Sequence, residues 1–173
     1  YSHSHDYEKF LNLKPSNINQ KNYLIFLDQN LPFHSAQFFR NEKPPVTEAK
    51  YYPALHNTFL KLEKKFKMEV VIAPHPRADI SKYKYFFKGR KVSSLDTIEL
   101  VKKSNGVLTH TSTAVSFAVI YRKPIIFLTS NEIIQSFDDY RVHNSSRIFN
   151  SKLINIDNKK YLNNINSQDF ALS

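Results

Sequence analysis

Five short runs of apolar or nearly apolar residues constrain this chain more than anything else in it. They are Tyr23-Leu24-Ile25-Phe26-Leu27, Val70-Val71-Ile72-Ala73, Gly106-Val107-Leu108-Thr109, Ile125-Ile126-Phe127-Leu128 and Leu153-Ile154-Asn155-Ile156. A strand with one wet face alternates apolar and polar residues, whereas a strand covered on both faces reads as an unbroken apolar run. Runs of the second kind predict a parallel sheet with helices on both sides.

The segments between the runs supply those helices. Leu55, Phe59, Leu62 and Phe66 are spaced four, three and four apart, which places them on one face of a helix. Pro53 fits that helix only near its first turn. Leu31 to Glu48 contains Pro32, Pro44 and Pro45 and is expected as a long loop. Tyr85-Phe86-Phe87 reads equally as a strand or as a short helix and loop. Ser93-Ser94-Leu95-Asp96 has the form of a capping box opening a helix with Leu95, Ile98 and Val101 inward. Thr113 to Arg122 reads as a helix apolar nearly all round, hence buried, and Lys123-Pro124 stops it. A polar helical stretch then precedes the last run. Strands alternating with helices through right-handed crossovers predict an α/β fold, a Rossmann-like doubly wound parallel sheet with helices on both faces. The expected organisation is a lead-in or linker over 1–22, one domain over 23–160 and a tail over 161–173.

The 173 residues suffice for one domain with its own core, and 41% of them are hydrophobic, a globular composition. The absence of cysteine excludes disulfides and thiolate metal sites. No apolar run approaches the roughly 20 residues of a membrane-spanning helix. No secretory signal is visible, and the reading is a cytoplasmic domain, at most peripheral at the inner face of a membrane, within a longer chain. The formal charge of +10 is spread among Asn, Asp and Glu. It reads as a solvated surface or as attraction to an anion such as a nucleotide phosphate, an anionic acceptor or a membrane face. No basic helix, zinc finger or RNA-binding signature accompanies it, so nucleic acid is not the expected partner.

Ligands of doubly wound sheets sit outside the carboxyl ends of the strands. That rule selects Asp28-Gln29-Asn30, Pro74-His75-Pro76-Arg77 and His110-Thr111-Ser112-Thr113. In the third place hydroxyls precede a helix, where unpaired N–H groups and the helix dipole favour an anion. A plain helix cap by Ser112 or Thr113 explains those residues equally well. In the second place two prolines restrict the backbone around His75. An imidazole held there can donate to a phosphate oxygen, although a lone histidine in a turn is more often structural. Arg77 could add charge-assisted bonds or simply be solvated. Asp28, at the end of the first run, reads as capping its own loop. The two glycines, Gly89 and Gly106, cannot form a dinucleotide fingerprint or a P-loop, and no nucleophile elbow is present. Asp138-Asp139 reads as a surface feature.

The succession Pro74-His75-Pro76, a helix, Gly106-Val107-Leu108-Thr109, His110-Thr111-Ser112-Thr113-Ala114, a buried helix and Lys123-Pro124-Ile125-Ile126-Phe127 resembles the C-terminal, donor-binding half of GT-B glycosyltransferases. Within them it is most similar to the bacterial surface-polysaccharide group with a His-Pro motif and a later Ser/Thr-rich motif. That group includes sialyltransferases and Kdo transferases that use CMP-sugars. The resemblance runs from about Tyr23 to Leu128. The Asp-Tyr-Ser-Ser segment of CDP-glycerol-type polymerases is missing.

The resemblance implies a nucleotide-sugar donor, CMP-Kdo or CMP-sialic acid foremost, and a saccharide or lipid-linked acceptor. It implies that His75 contacts the donor phosphate and assists the leaving nucleotide, and that Ser112 and Thr113 hold the same phosphate. Pro74 and the adjacent backbone would line the base pocket, and Asp28 would face the interdomain cleft, within reach of acceptor or donor. No metal or other cofactor is expected, in line with the lack of an Asp-x-Asp triplet. A GT-B enzyme has two Rossmann-like halves, and this chain has room for one, so the acceptor base is expected elsewhere. The competing readings are a nucleotide-sugar epimerase-like domain and a non-catalytic module attached to anionic membrane or polymer.

Overall fold

A computed structural model describes residues 5–12, 22–34, 43–93, 96–158, 160 and 165. Helix α1 (His5–Leu11) is followed by β1 (Tyr23–Leu27), a 3-10 turn (Leu31–Phe33), the long α2 (Glu48–Phe66) and β2 (Glu69–Ala73). A second 3-10 turn (Ile80–Lys82) runs into α3 (Tyr83–Phe86), and then come α4 (Thr97–Lys103), β3 (Gly106–Thr109) and α5 (Val115–Ile120). Strand β4 (Ile125–Thr129), α6 (Asn131–Ile134), α7 (Asp138–Ile148) and β5 (Lys152–Asn155) complete the order.

The strands form one all-parallel sheet in the order β2-β1-β3-β4-β5. The fold is α/β and Rossmann-like, as the apolar runs predict. Successive side chains of a strand point to opposite faces, and the two cores follow that alternation. Leu24, Phe26, Ile72 and Leu108 pack with Leu55, Phe59 and Leu62 of α2. Tyr23, Ile25, Leu27, Val71 and Val107 pack with Ile98 and Val101 of α4 and Phe117 and Ala118 of α5. The chain moves one way from β1 to β2 and the other way from β2 past β1 to β3. Right-handed crossovers in opposite directions put their helices on opposite faces. Each fully buried Leu, Ile or Phe contributes about 1.5–3 kcal/mol relative to exposure, so both faces are needed.

One feature of the sheet was not legible as an apolar run. Val92 makes a lone parallel bridge to Ile72 outside β2. Ile72 N–H donates to Lys91 O at 2.8 Å, and Ser93 N–H donates to Ile72 O at 3.0 Å. Counted as a rudimentary strand, Val92 converts the strand order into the 3-2-1-4-5-6 pattern of sheets built from two mononucleotide-binding halves. The winding reverses between β1 and β3, so the crevice expected to receive a ligand opens above those two strands.

Several local expectations are corrected. Pro53 lies in the second turn of α2, because the helix already begins at Glu48. Its ring is exposed, and so is Ala49, whose carbonyl Pro53 leaves without an N–H donor, so solvent can serve it. The expected loop from Leu31 to Glu48 contains the 3-10 turn and ends one residue earlier; 35–42 lie outside the described residues. Tyr85 and Phe86 are helical and not strand. Helix α4 is capped by Asp96, whose carboxylate accepts from Ile98 N–H. Ser93 cannot take that role because its backbone is committed to the edge of β2, and Ser94 and Leu95 lie outside the described residues. Helix α5 is not buried all round: Phe117 and Ala118 are, while Val119 is 51% exposed. Strand β5 begins at Lys152, one residue early, with Ile156 N–H still donating to Thr129 O.

The stretch read as a lead-in contributes α1, whose Phe10 packs on the second core and meets Tyr121 edge to face. The stretch read as a tail lies outside the described residues except Ile165, which is buried in the first core. Among the described residues no helix is long and apolar enough to cross a membrane.

Candidate functional site

Three loops leave the carboxyl ends of β2, β1 and β3 side by side, and all the residues singled out from the sequence lie on them. After β1, Asp28 is 4% exposed. Its Oδ1 accepts from Asn30 N–H at 3.1 Å, and its Oδ2 accepts from the Tyr83 hydroxyl. Asn30 takes a left-handed conformation, φ 51°, which asparagine tolerates, and the pair forms an Asx turn. Burial pushes the Asp28 carboxyl up to about 6, with the bonds from Tyr83 and the loop amides opposing. As placed, the carboxylate holds its own loop, and both of its oxygens are engaged within the protein.

Tyr83, buried on α3, is tied to the same group: its hydroxyl donates to Asp28 Oδ2 and links α3 to the loop after β1. The His75 loop is closed on itself by Ala78 N–H, which donates to His75 O at 2.9 Å. The His75 ring is half-buried and Pro74 likewise, whereas Pro76 and Arg77 are exposed. Arg77 N–H donates to His75 Nδ1 at 3.2 Å. With Nδ1 accepting, the neutral ring carries its proton on Nε2. Burial, then His34 and Arg77, hold the imidazole below its ordinary range, and the His34 ring meets it edge to face at 5.3 Å. His75 is thus a neutral Nε2–H donor.

After β3, Thr111 and Ser112 are half-buried and Thr113 is exposed. Helix α5 is capped at Ala114 with no side-chain cap bond, so neither Ser112 nor Thr113 is the expected N-cap. Ser112 Oγ instead accepts from Ala114 N–H at 3.3 Å in a local turn, and its hydroxyl proton can still be donated outward. Thr111 is clasped by Gln29 from the loop after β1: Thr111 N–H donates to Gln29 Oε1 at 2.7 Å, and Gln29 Nε2 donates to Thr111 Oγ1 at 3.1 Å. The Thr111 amide is thereby spent inside the protein, as is the Ser112 amide, which donates to Thr109 Oγ1 at 3.3 Å; the hydroxyls of Ser112 and Thr113 can still donate. Beneath the loop, His110 is fully buried. Its Nδ1 lies 2.7 Å from Leu128 O and its Nε2 2.8 Å from Tyr51 Oη. The carbonyl can only accept, so Nδ1 carries the proton and Tyr51 donates to Nε2. Burial pushes His110 down to about 4.

Strand β1 lies between the His75 loop and the hydroxyl loop, so their backbones are two strand spacings, about 10 Å, apart. The sequence pointed to the three loops but not to Tyr83, Tyr51 or the role of Gln29. Their partners are 55, 59 and 82 residues away, and no local pattern announces such pairs. Among the described residues no group of three or more His, Asp or Glu is arranged to hold a metal ion.

No protein-family model matches the chain. No curated protein is significantly similar to it in sequence.

Proposed function

We propose that the chain is the donor-binding domain of an inverting glycosyltransferase that builds bacterial surface polysaccharide, with a cytidine-activated sugar, CMP-linked ahead of CDP-linked, as donor. The observation that carries this reading is the His75 ring itself. It is held by the Arg77 amide with its Nε2–H free to donate, on the sheet edge that also carries the hydroxyls of Ser112 and Thr113, beside the winding reversal. The His75 loop and the hydroxyl loop leave the strands on either side of β1, so an imidazole and hydroxyls flank the place where the parallel-sheet rule puts a ligand.

In this reading His75 Nε2–H donates to a donor phosphate oxygen as the bond to the sugar breaks and charge builds on the nucleotide. Donors set in place before the reaction are worth roughly 3 kcal/mol each at such sites. Ser112 and Thr113 hold the same phosphate, Arg77 adds positive charge at the rim, and Pro74 borders the base. No metal is needed for these steps. The group that activates the saccharide or lipid-linked acceptor belongs to another part of the enzyme. The resemblance of the motifs to GT-B enzymes supports the same reading.

Calorimetry with CMP, CDP and UMP tests it. CMP is expected to bind most tightly, and His75→Ala to weaken binding by tenfold or more. Absence of nucleotide binding, or equal binding by His75→Ala, would overturn the site.

A further inference from the structure

Next to the His75 loop lies a surface of a different character. Between Asp79 and Lys91 the chain holds Lys82, Lys84, Lys88, Arg90 and Lys91, against the single acidic Asp79. Arg90 is engaged by Glu63, but Lys82, Lys84, Lys88 and Lys91 are exposed. Apolar groups are exposed among them: Tyr85 is 70%, Ile80 54% and Phe33 45% exposed. They are not loose. Phe33 stacks on Phe86 at 5.8 Å, Phe86 stacks flat on the buried Tyr52 at 4.2 Å, and Tyr85 meets the edge of Phe86. The ammonium of Lys82 lies 5.7 Å from the Phe33 ring centre, and that of Lys88 lies 5.0 Å from the Tyr85 ring centre.

We propose that the surface made by Phe33, Ile80, Lys82, Lys84, Tyr85 and Lys88 seats this domain on an anionic lipid bilayer. Its charge complements acidic headgroups. Aromatic rings braced by the core enter the headgroup layer, while lysines keep their charged ends in water. Nucleic acid fits less well. Base stacking needs a free ring face, yet Phe33 has one face against Phe86 and a lysine over the ring, and Tyr85 also carries a lysine. Ile80, an exposed aliphatic group, suits lipid and offers a base nothing. Phe33 precedes His34, whose ring touches His75, so a membrane bound here lies beside the mouth of the candidate donor site. A lipid-linked acceptor would arrive from that side. The proposal does not need the donor reading: vesicle binding is read without nucleotide, and nucleotide binding without lipid.

Co-sedimentation with vesicles of phosphatidylcholine, with and without phosphatidylglycerol, tests it. Binding is expected only to the phosphatidylglycerol vesicles and falls as salt rises. Lys84→Glu with Lys88→Glu is expected to weaken it by roughly tenfold or more. Ile80→Ser with Tyr85→Ser weakens it at unchanged charge. Lys61→Glu with Lys64→Glu, a charge-matched change on the exposed side of α2, leaves most of the binding intact. All three variants alter exposed positions, and circular dichroism checks that each is folded. Three results would overturn the proposal: no binding to the acidic vesicles, equal losses in the α2 control and the surface variants, or tighter binding to an RNA oligonucleotide than to the vesicles.

Discussion

The Gln29 side-chain amide and the Thr111 backbone and hydroxyl hold each other through two hydrogen bonds, at 2.7 and 3.1 Å, across the gap where the winding of the sheet reverses. A glutamine is used here as a strut between two loops that a ligand would approach. Gln29→Ala is expected to cost about 1–2 kcal/mol of stability in urea unfolding. It should also lower CMP affinity severalfold by calorimetry, because the hydroxyl loop loses its brace. Unchanged affinity would mean that the loop is held by Ser112 and His110 alone.

Asp28 and His110 make opposing contributions to stability between about pH 4 and 6. Burial raises the Asp28 carboxyl to about 6, above its ordinary 3.8. The folded state therefore keeps that proton longer, and the stability it confers is full below 3.8 and lost as pH rises to about 6. Burial lowers His110 from 6.5 to about 4, so its contribution is full above 6.5 and lost as pH falls to about 4. Each spans on the order of 3 kcal/mol. The difference in unfolding free energy between wild type and Asp28→Asn should thus change across this window, with the variant gaining as pH rises. His110→Gln should gain, relative to wild type, as pH falls. Urea titrations at several pH values measure both slopes, and parallel curves would show that neither group carries its shift.

Tyr83 joins α3 to the loop after β1 through one hydroxyl. Tyr83→Phe leaves Asp28 Oδ2 without its donor in a buried place. The expected loss is about 2–3 kcal/mol, with a further rise in the Asp28 carboxyl, since the tyrosine bond lowers it. Urea unfolding measures the first effect, and carboxyl carbon NMR shifts against pH measure the second.

Arg90 pins the last turns of α2 to the stretch after α3. Its Nε and Nη2 donate to Glu63 at 2.9 and 2.8 Å, Nη1 lies 2.7 Å from His56 Nδ1, and the guanidinium covers the Phe59 ring. Glu63 also accepts from Val70 N–H at the start of β2. Arg90→Ala should destabilise by about 2–3 kcal/mol, less than for a wholly dry pair because Glu63 is partly exposed. Arg90→Lys should recover only part of this, since an ammonium cannot reproduce the two-pronged bond. Thermal unfolding of the two variants compares them.

The strands were legible because burial on both faces writes itself into consecutive residues, as in Ile25-Phe26-Leu27. The three loops were legible because ligand position follows from where parallel strands end. Helix α2 was found from Leu55, Phe59 and Leu62, but its start was hidden by Pro53, which local rules place in a first turn. The cap of α4 was misplaced because the motif around Ser93 describes local capacity, while the pairing of Ser93 with Ile72 is a tertiary demand. The buried links Tyr83–Asp28 and Tyr51–His110 join residues brought together only by the finished sheet, so no spacing in the chain encodes them. The uncovered side of α5 has a similar cause: an apolar helix predicts burial only where another element arrives to cover it.

Two hydrogen bonds between Ile72 and the segment around Val92 decide how this chain is traced. Without them the sheet has five strands and the winding of a flavodoxin-like domain; with them it acquires the six-strand winding of a dinucleotide-binding sheet. The distinction between two architectural lineages thus rests here on a single residue pair. Loss of the bridge through a proline at Ser93 would move the chain from one lineage to the other while leaving the loops that carry His75 and Ser112 on the same sheet edge.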